Sequence, residues 1–182
     1  MASYYYLVAS LPLLRPEEPP PMTSEAFLDT CRQSLGKSDM ELVSSASLVV
    51  AENALRHHHN FLRQWNEKLE KVRREMNMQR SRRLNIENAA ARQLGEKDPW
   101  VAEMIRDVMQ AENPLQAELQ LIHYYWRQLD ELSTGHVFDV EFLIAYHIKL
   151  KLMARRSLFT PVEGNSEFKR LFSNLQTIIK SI

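Results

Sequence analysis

Cysteine is almost missing from this chain. Cys31 stands alone among 182 residues, which excludes an intramolecular disulfide and any zinc site built from several thiolates. Glycine is scarce as well, with only Gly36, Gly95, Gly135 and Gly164. Each falls where a helix would end, a pattern of helices punctuated by C′ glycines and not of a sheet with many turns. Neither sign of charge dominates, since 23 Lys and Arg balance 23 Asp and Glu. A dedicated nucleic-acid binder carries a basic excess, because its affinity comes largely from neutralising phosphates. The balance argues against that class. No apolar run approaches the roughly 20 residues that span a bilayer, and no Asn-x-Ser/Thr sequon occurs. These absences predict a cytoplasmic chain in which Cys31 is a small buried hydrophobe.

Catalytic and metal motifs are missing too. His57, His58 and His59 are adjacent, so on a helix they point about 100° apart and cannot converge on one ion. No His-x-x-x-His or Glu-x-x-His pair exists, which removes the helical zinc and di-iron patterns. His57 and His147 read as core or boundary histidines, and no spacing requires His123 and His136 to meet. There is no Gly-x-Ser-x-Gly elbow and no phosphate-cradling glycine loop, and only Arg32 lies beside Cys31 to lower its pKa. Glu103 and Asp107, one turn apart, repel each other and read as a solvated face. The expectation is therefore no catalytic residue, no metal and no cofactor.

What is present is helical periodicity. Hydrophobic residues make up 45% of the chain, enough for a sizeable core in a single helical domain spanning residues 1–182. The opening Tyr4-Tyr5-Tyr6-Leu7-Val8-Ala9-Ser10-Leu11-Pro12-Leu13-Leu14 reads as a short extended segment packed on the body. It has neither the basic start nor the cleavage site of a signal peptide. A proline-rich tether follows over residues 15–22. Thr23 or Ser24 caps a short helix ended by Gly36. Ser38-Asp39-Met40-Glu41 reads as a capping box, opening a helix with the stripe Leu42, Val43, Ala46, Val49, Val50 and Ala54. A break is expected around His57–Asn60.

A long helical stretch over residues 61–95 carries the stripe Phe61, Leu62, Trp65, Leu69, Val72, Met76. Its register then brings Arg80 and Arg83 onto the apolar face. Either the helix kinks near Asn77–Arg80 or its tail leaves the core, and the charged stretch Arg73–Arg83 suits the second. Asp98-Pro99 and Asn113-Pro114 are strong helix starts. From Pro114 runs the stripe Leu115, Leu119, Ile122, Trp126, Leu129, ending at Ser133-Thr134-Gly135. Asp139 opens a helix from Val140 to about Ser157 that is apolar almost all round, hence central in its bundle. A terminal helix carries Phe168, Leu171, Phe172, Leu175, Ile178 and Ile179. The fold class is all-α, a bundle of six or seven helices.

Arg80, Arg82 and Arg83 lack acidic compensation until Glu87. They are the candidate partner-binding residues, with an acidic protein surface as the first choice of partner. A plain solvated face and nucleic acid are the other two readings.

Three blocks resemble a bacterial family encoded within V-type ATP synthase operons. They are Tyr4 to Pro12; Asn113-Pro114-Leu115-Gln116-Ala117-Glu118 continuing to Trp126-Arg127-Gln128-Leu129-Asp130-Glu131-Leu132; and Gly135-His136-x-Phe138-Asp139 with Tyr146-His147-Ile148-Lys149-Leu150-Lys151 and Arg155. Members of that family run longer, and the stretch from Leu55 to Trp65 is shortened here. The resemblance implies a relative of, or stand-in for, the all-helical rotor socket of these enzymes, designated C in the synthase and d in the vacuolar form. That socket passes torque between the central stalk and the proteolipid ring, needs two protein interfaces and uses no catalytic residue. The resemblance thus implies a non-catalytic subunit or assembly factor, peripheral to the inner membrane through its partners, with no small-molecule substrate. The rival expectations are a helical adaptor or chaperone-like module using the arginine patch, and an RNA-binding helical protein.

Overall fold

In the computed structural model, residues 4–50, 58–85 and 98–159 are described, and among them lie seven α-helices and no strand. The tyrosine-rich opening is one of the helices. It forms α1, Tyr4–Ser10, where the sequence suggested an extended segment. Aromatic residues favour strands only where a neighbouring strand can pair with them. With none among the described residues, a helix satisfies the backbone N–H groups internally. Leu7 is buried, and Tyr4, Val8, Leu11 and Leu14 pack against the core, while Tyr5 and Tyr6 face outward. The tether after it is not simply extended, because Glu18 N–H bonds to Arg15 O at 3.2 Å and turns the chain.

α2 spans Ser24–Ser34, capped by Thr23, whose hydroxyl accepts from Ala26 N–H at 3.1 Å. Cys31 on its inner face is buried, and burial pushes its thiol up to about 11. Gly36 does not end α2 in a left-handed turn. Its φ is −69°, and it is the N-cap of α3, Lys37–Ser45. The capping box at Ser38 is therefore not used. Asp39 instead accepts a 2.5 Å hydrogen bond from the Tyr4 hydroxyl, tying the first turn of α3 to α1. α3 also stops well short of Ala54, which lies outside the described residues. Ser44 and Ser45 bond back to Glu41 O and Leu42 O at 3.0 and 2.8 Å, competing with the helical ladder. The next carbonyls go to side chains: Ala46 O to Lys151, and Ser47 O to Trp65 Nε1 at 2.8 Å. Val49, placed on the predicted stripe, is exposed.

Of the break expected over residues 57–60, the described part shows His59 as the extended N-cap of α4, Asn60–Arg83. This helix runs unbroken for 24 residues, about 36 Å at 1.5 Å per residue. α5 (Pro99–Gln110), α6 (Pro114–Leu132) and α7 (Val140–Ser157) follow. Asp98, Asn113 and Asp139 cap them as expected, accepting from Val101, Gln116 and Phe142 N–H at 3.4, 2.9 and 3.0 Å. Gly135, at φ +89°, supplies the left-handed turn after α6. The predicted helices after Leu84 and over Phe168–Ile179, with Gly95, Gly164 and His57, lie outside the described residues.

α7 is the central helix, packed against α2, α3 and α6. Nine of its residues are buried, from Leu143 to Met153. One of them is polar. His147 Nδ1–H donates to Val43 O at 2.8 Å and Nε2 accepts from the Ser24 hydroxyl at 2.6 Å, so the neutral ring is satisfied. Burial, assisted by nearby Lys151 and opposed by the Val43 bond, lowers its pKa to about 4.

α4 passes between two hydrophobic clusters. Phe61, Leu62, Trp65 and Leu69 belong to a main cluster of twenty buried residues shared with α1, α2, α3, α6 and α7. Beyond it, Val72 joins Val101 and Ile105 in a second cluster, flanked by Met76, Met104 and Met109. Lys71 reaches Asp98 at the start of α5, and Arg83 reaches Met109 near its end, so α5 runs parallel to the tail of α4. The tail leaves the main core for the second cluster, whereas the sequence suggested that it projects. It does not stand bare, because α5 lies alongside it.

Candidate functional site

The two ends of α4 carry different chemistry. Arg80, Arg82 and Arg83 share its last turn and are exposed, next to Leu84 at 67% exposure. The sequence placed these three residues together, and the helix does the same. Arg83 is also used internally, its Nη2 donating to Met109 O at 2.6 Å. All three sit where cations complement the negative end of the helix dipole, so part of their role is local.

The other end was not legible as a site. There Phe61, in the first turn of α4, packs edge-on to His136 with ring centroids 6.2 Å apart. Phe138 two residues on meets Tyr5 at 5.0 Å, and Tyr5 meets Tyr6 at 5.6 Å. Tyr5, Tyr6 and Phe138 are 59%, 75% and 47% exposed, with Val137 exposed beside them. This is a contiguous aromatic patch in water, and such patches mark interaction surfaces more often than lone apolar residues do. Behind it lie polar groups. His136 Nδ1 is 2.6 Å from Asp139 Oδ2 and 4.0 Å from Glu141 Oε2, while His59 Nε2 is 3.4 Å from Glu141 Oε1. Burial raises the Tyr4 phenol pKa, and so do its bond to Asp39 and the charges of Asp39, Glu141 and Asp139.

A groove of about 730 Å³ lies between α5 and α6, lined by residues including Trp100, Glu103, Asp107, Tyr124 and Arg127. Glu103 and Asp107 are exposed on its wall, as a solvated pair should be, and Trp100 is 81% exposed at its edge. His123 and His136 have separate partners, Glu17 and Asp139.

The class defined by these features is an all-α helical protein, and among the described residues no helix is long and apolar enough to cross a membrane. Residues 72–179 match the model of a family described as "Protein of unknown function (DUF2764)". The match covers more than half of the chain, and the chain belongs to that family. It begins at Val72, where α4 enters the second cluster, and takes in α5, α6 and α7. No curated protein and no solved structure matches.

Proposed function

We propose that this protein is a non-catalytic helical coupling component of a V-type ATP synthase, either a resident subunit or an assembly factor, joining central stalk and proteolipid ring in the manner of the C-type rotor socket. The observation that supports this is the pair of unlike surfaces at opposite ends of α4: the aromatic patch of Tyr5, Tyr6 and Phe138, and the cationic tip of Arg80, Arg82 and Arg83. A coupling part needs two interfaces held at fixed separation. A single helix about 36 Å long, flanked by packed neighbours, is a stiff spacer. Aromatic residues are enriched among the anchors that dominate interface energy. Exposed cations speed and orient encounter with an acidic partner. The resemblance of the three sequence blocks supplies the particular assembly. On this reading the protein works in the cytoplasm and meets the membrane only through its partners.

The test is co-purification of the tagged full chain with the synthase. Wild-type protein should bring down central-stalk components. The triple variant R80E/R82E/R83E and the double variant Y5A/F138A should each lose part of the assembly, a different part in each case. Reproducible absence of synthase components from the wild-type preparation would refute the resident role. Capture of an unrelated acidic protein through the arginine tip alone would favour a helical adaptor.

A further inference from the structure

We propose that His59, His136, Asp139 and Glu141 form a binding site for a divalent transition-metal cation of zinc's class. Three pieces of backbone bring them together. His59 is the N-cap of α4, His136 follows the left-handed turn at Gly135, and Asp139 and Glu141 are the N-cap and first turn of α7. One donor atom from each of His136, Asp139 and Glu141 lies within 4.8 Å of the others. His59 Nε2, 3.4 Å from Glu141 Oε1, stands just outside that set of three and has to swing inward to join it as a fourth donor. Tetrahedral zinc with bonds of about 2.1 Å sets its ligands about 3.4 Å apart. The gaps here, from 2.6 Å for His136–Asp139 to 4.0 Å for His136–Glu141, bracket that spacing.

The chemistry of the donors narrows the ion. Two imidazole nitrogens with two carboxylates suit zinc, whereas magnesium and calcium take oxygen donors. Two neutral imidazoles and two carboxylates carry two negative charges, which a dication cancels. The ligands are also pre-oriented from behind. Asp139 Oδ1 is committed to Phe142 N–H at 3.0 Å, leaving Oδ2 to face His136. The Phe61 ring abuts the His136 imidazole. Supporting contacts of this kind hold first ligands in place in metal sites. All four side chains are partly buried, at 18–38% exposure, enough to shed bulk water while leaving an entry path. The positive end of the α7 dipole stabilises both carboxylates and repels a cation, so the metal–ligand bonds have to exceed that repulsion.

The experiment is calorimetric titration of the chelator-treated full chain with zinc, then cobalt, with magnesium as the oxygen-seeking control. Wild-type protein should bind one zinc, bind magnesium far more weakly, and give the strong visible bands of tetrahedral cobalt. The variant H136Q/E141Q leaves the Asp139 cap in place and should melt close to the wild-type temperature without metal. It should lose at least about tenfold in zinc affinity, and its melting temperature should stop rising with added zinc. Absence of zinc binding by the wild type overturns the proposal. So does zinc binding that persists unchanged in H136Q/E141Q, which assigns the ion to other histidines. Preference for magnesium overturns the nitrogen-donor assignment.

Discussion

Acidification should destabilise this protein through one side chain, His147. The folded state holds the ring neutral with a pKa near 4, against 6.5 for a free imidazole. The unfolded chain therefore takes up a proton that the folded chain refuses. Stability is full above about pH 7, falls as pH drops through 6.5, and the loss is complete below about 4. Each pH unit inside that window costs up to about 1.4 kcal/mol. Between pH 7 and pH 5 the loss is about 2 kcal/mol, and over the whole window about 3 kcal/mol. This is a large share of a typical domain's roughly 5–15 kcal/mol. The cause is local: the ring is 1% exposed, boxed by Ser24, Val43 and Phe27, and faces the positive Lys151. Other ionisable side chains change charge along the same acid titration, so the measurement must be a difference. Urea unfolding of wild type and H147Q, followed by far-UV circular dichroism at half-unit steps from pH 7.5 to 4.5, supplies it. Glutamine offers a donor and an acceptor but no titration. H147Q should be less stable at pH 7 and show a shallower slope, so that the two curves converge as pH falls. Parallel curves over the whole range would refute the reasoning, because the proton would then not be refused by the fold.

Leu150→Asp places an unpaired charge in the centre of α7, where Leu150 is 1% exposed. It should cost several kcal/mol and leave little cooperative unfolding. Leu7→Ala, at a 3% exposed position on α1, should cost about 2–5 kcal/mol, and a parental melting temperature would show α1 to be detachable. Asn113→Ala removes the cap of α6 and should cost about 1 kcal/mol by denaturant titration. R80E/R82E/R83E changes exposed residues only but inverts charge at a helix C-terminus and removes the Met109 bond, so about 1–2 kcal/mol is expected. A larger loss would make the arginines chiefly structural.

The helix starts at Asp98, Asn113 and Asp139 could be read from the chain because their chemistry is local. A side-chain oxygen satisfies an N–H two or three residues ahead, and no distant group has a say. The central place of α7 was legible for a related reason, since a helix apolar on nearly every side has nowhere else to go. Failures came where a distant group overruled a local preference. Ser38 lost its cap to the Tyr4–Asp39 contact, and the α3 helix ended early because Trp65 and Lys151 claim the carbonyls of Ser47 and Ala46. Of the candidate surfaces, the arginine tip lies within one helical turn and so shows in sequence. The aromatic patch joins residues from α1 and the α6–α7 turn, and the histidine–carboxylate cluster joins the start of α4 to the start of α7. The patch has no spacing that shows along the chain, whereas His136, Asp139 and Glu141 stand within six residues of one another, a local spacing outside the His-x-x-x-His and Glu-x-x-His patterns.

The passage of α4 from a broad hydrophobic cluster into a narrow one has a consequence for how the molecule breathes. Local opening draws on the regions with the fewest buried apolar contacts. Among the described residues, the second cluster has just Val72, Val101 and Ile105 as its buried members joining α4, α5 and the middle of α6, and its methionine flanks are half-buried. Amides from Arg63 to Leu69 should exchange with solvent only when the whole fold opens. Those from Arg73 onward should exchange sooner, in step with α5. One continuous helix would then behave as two kinetic segments, fraying from its basic end inward, and whatever grips that end would slow exchange there first.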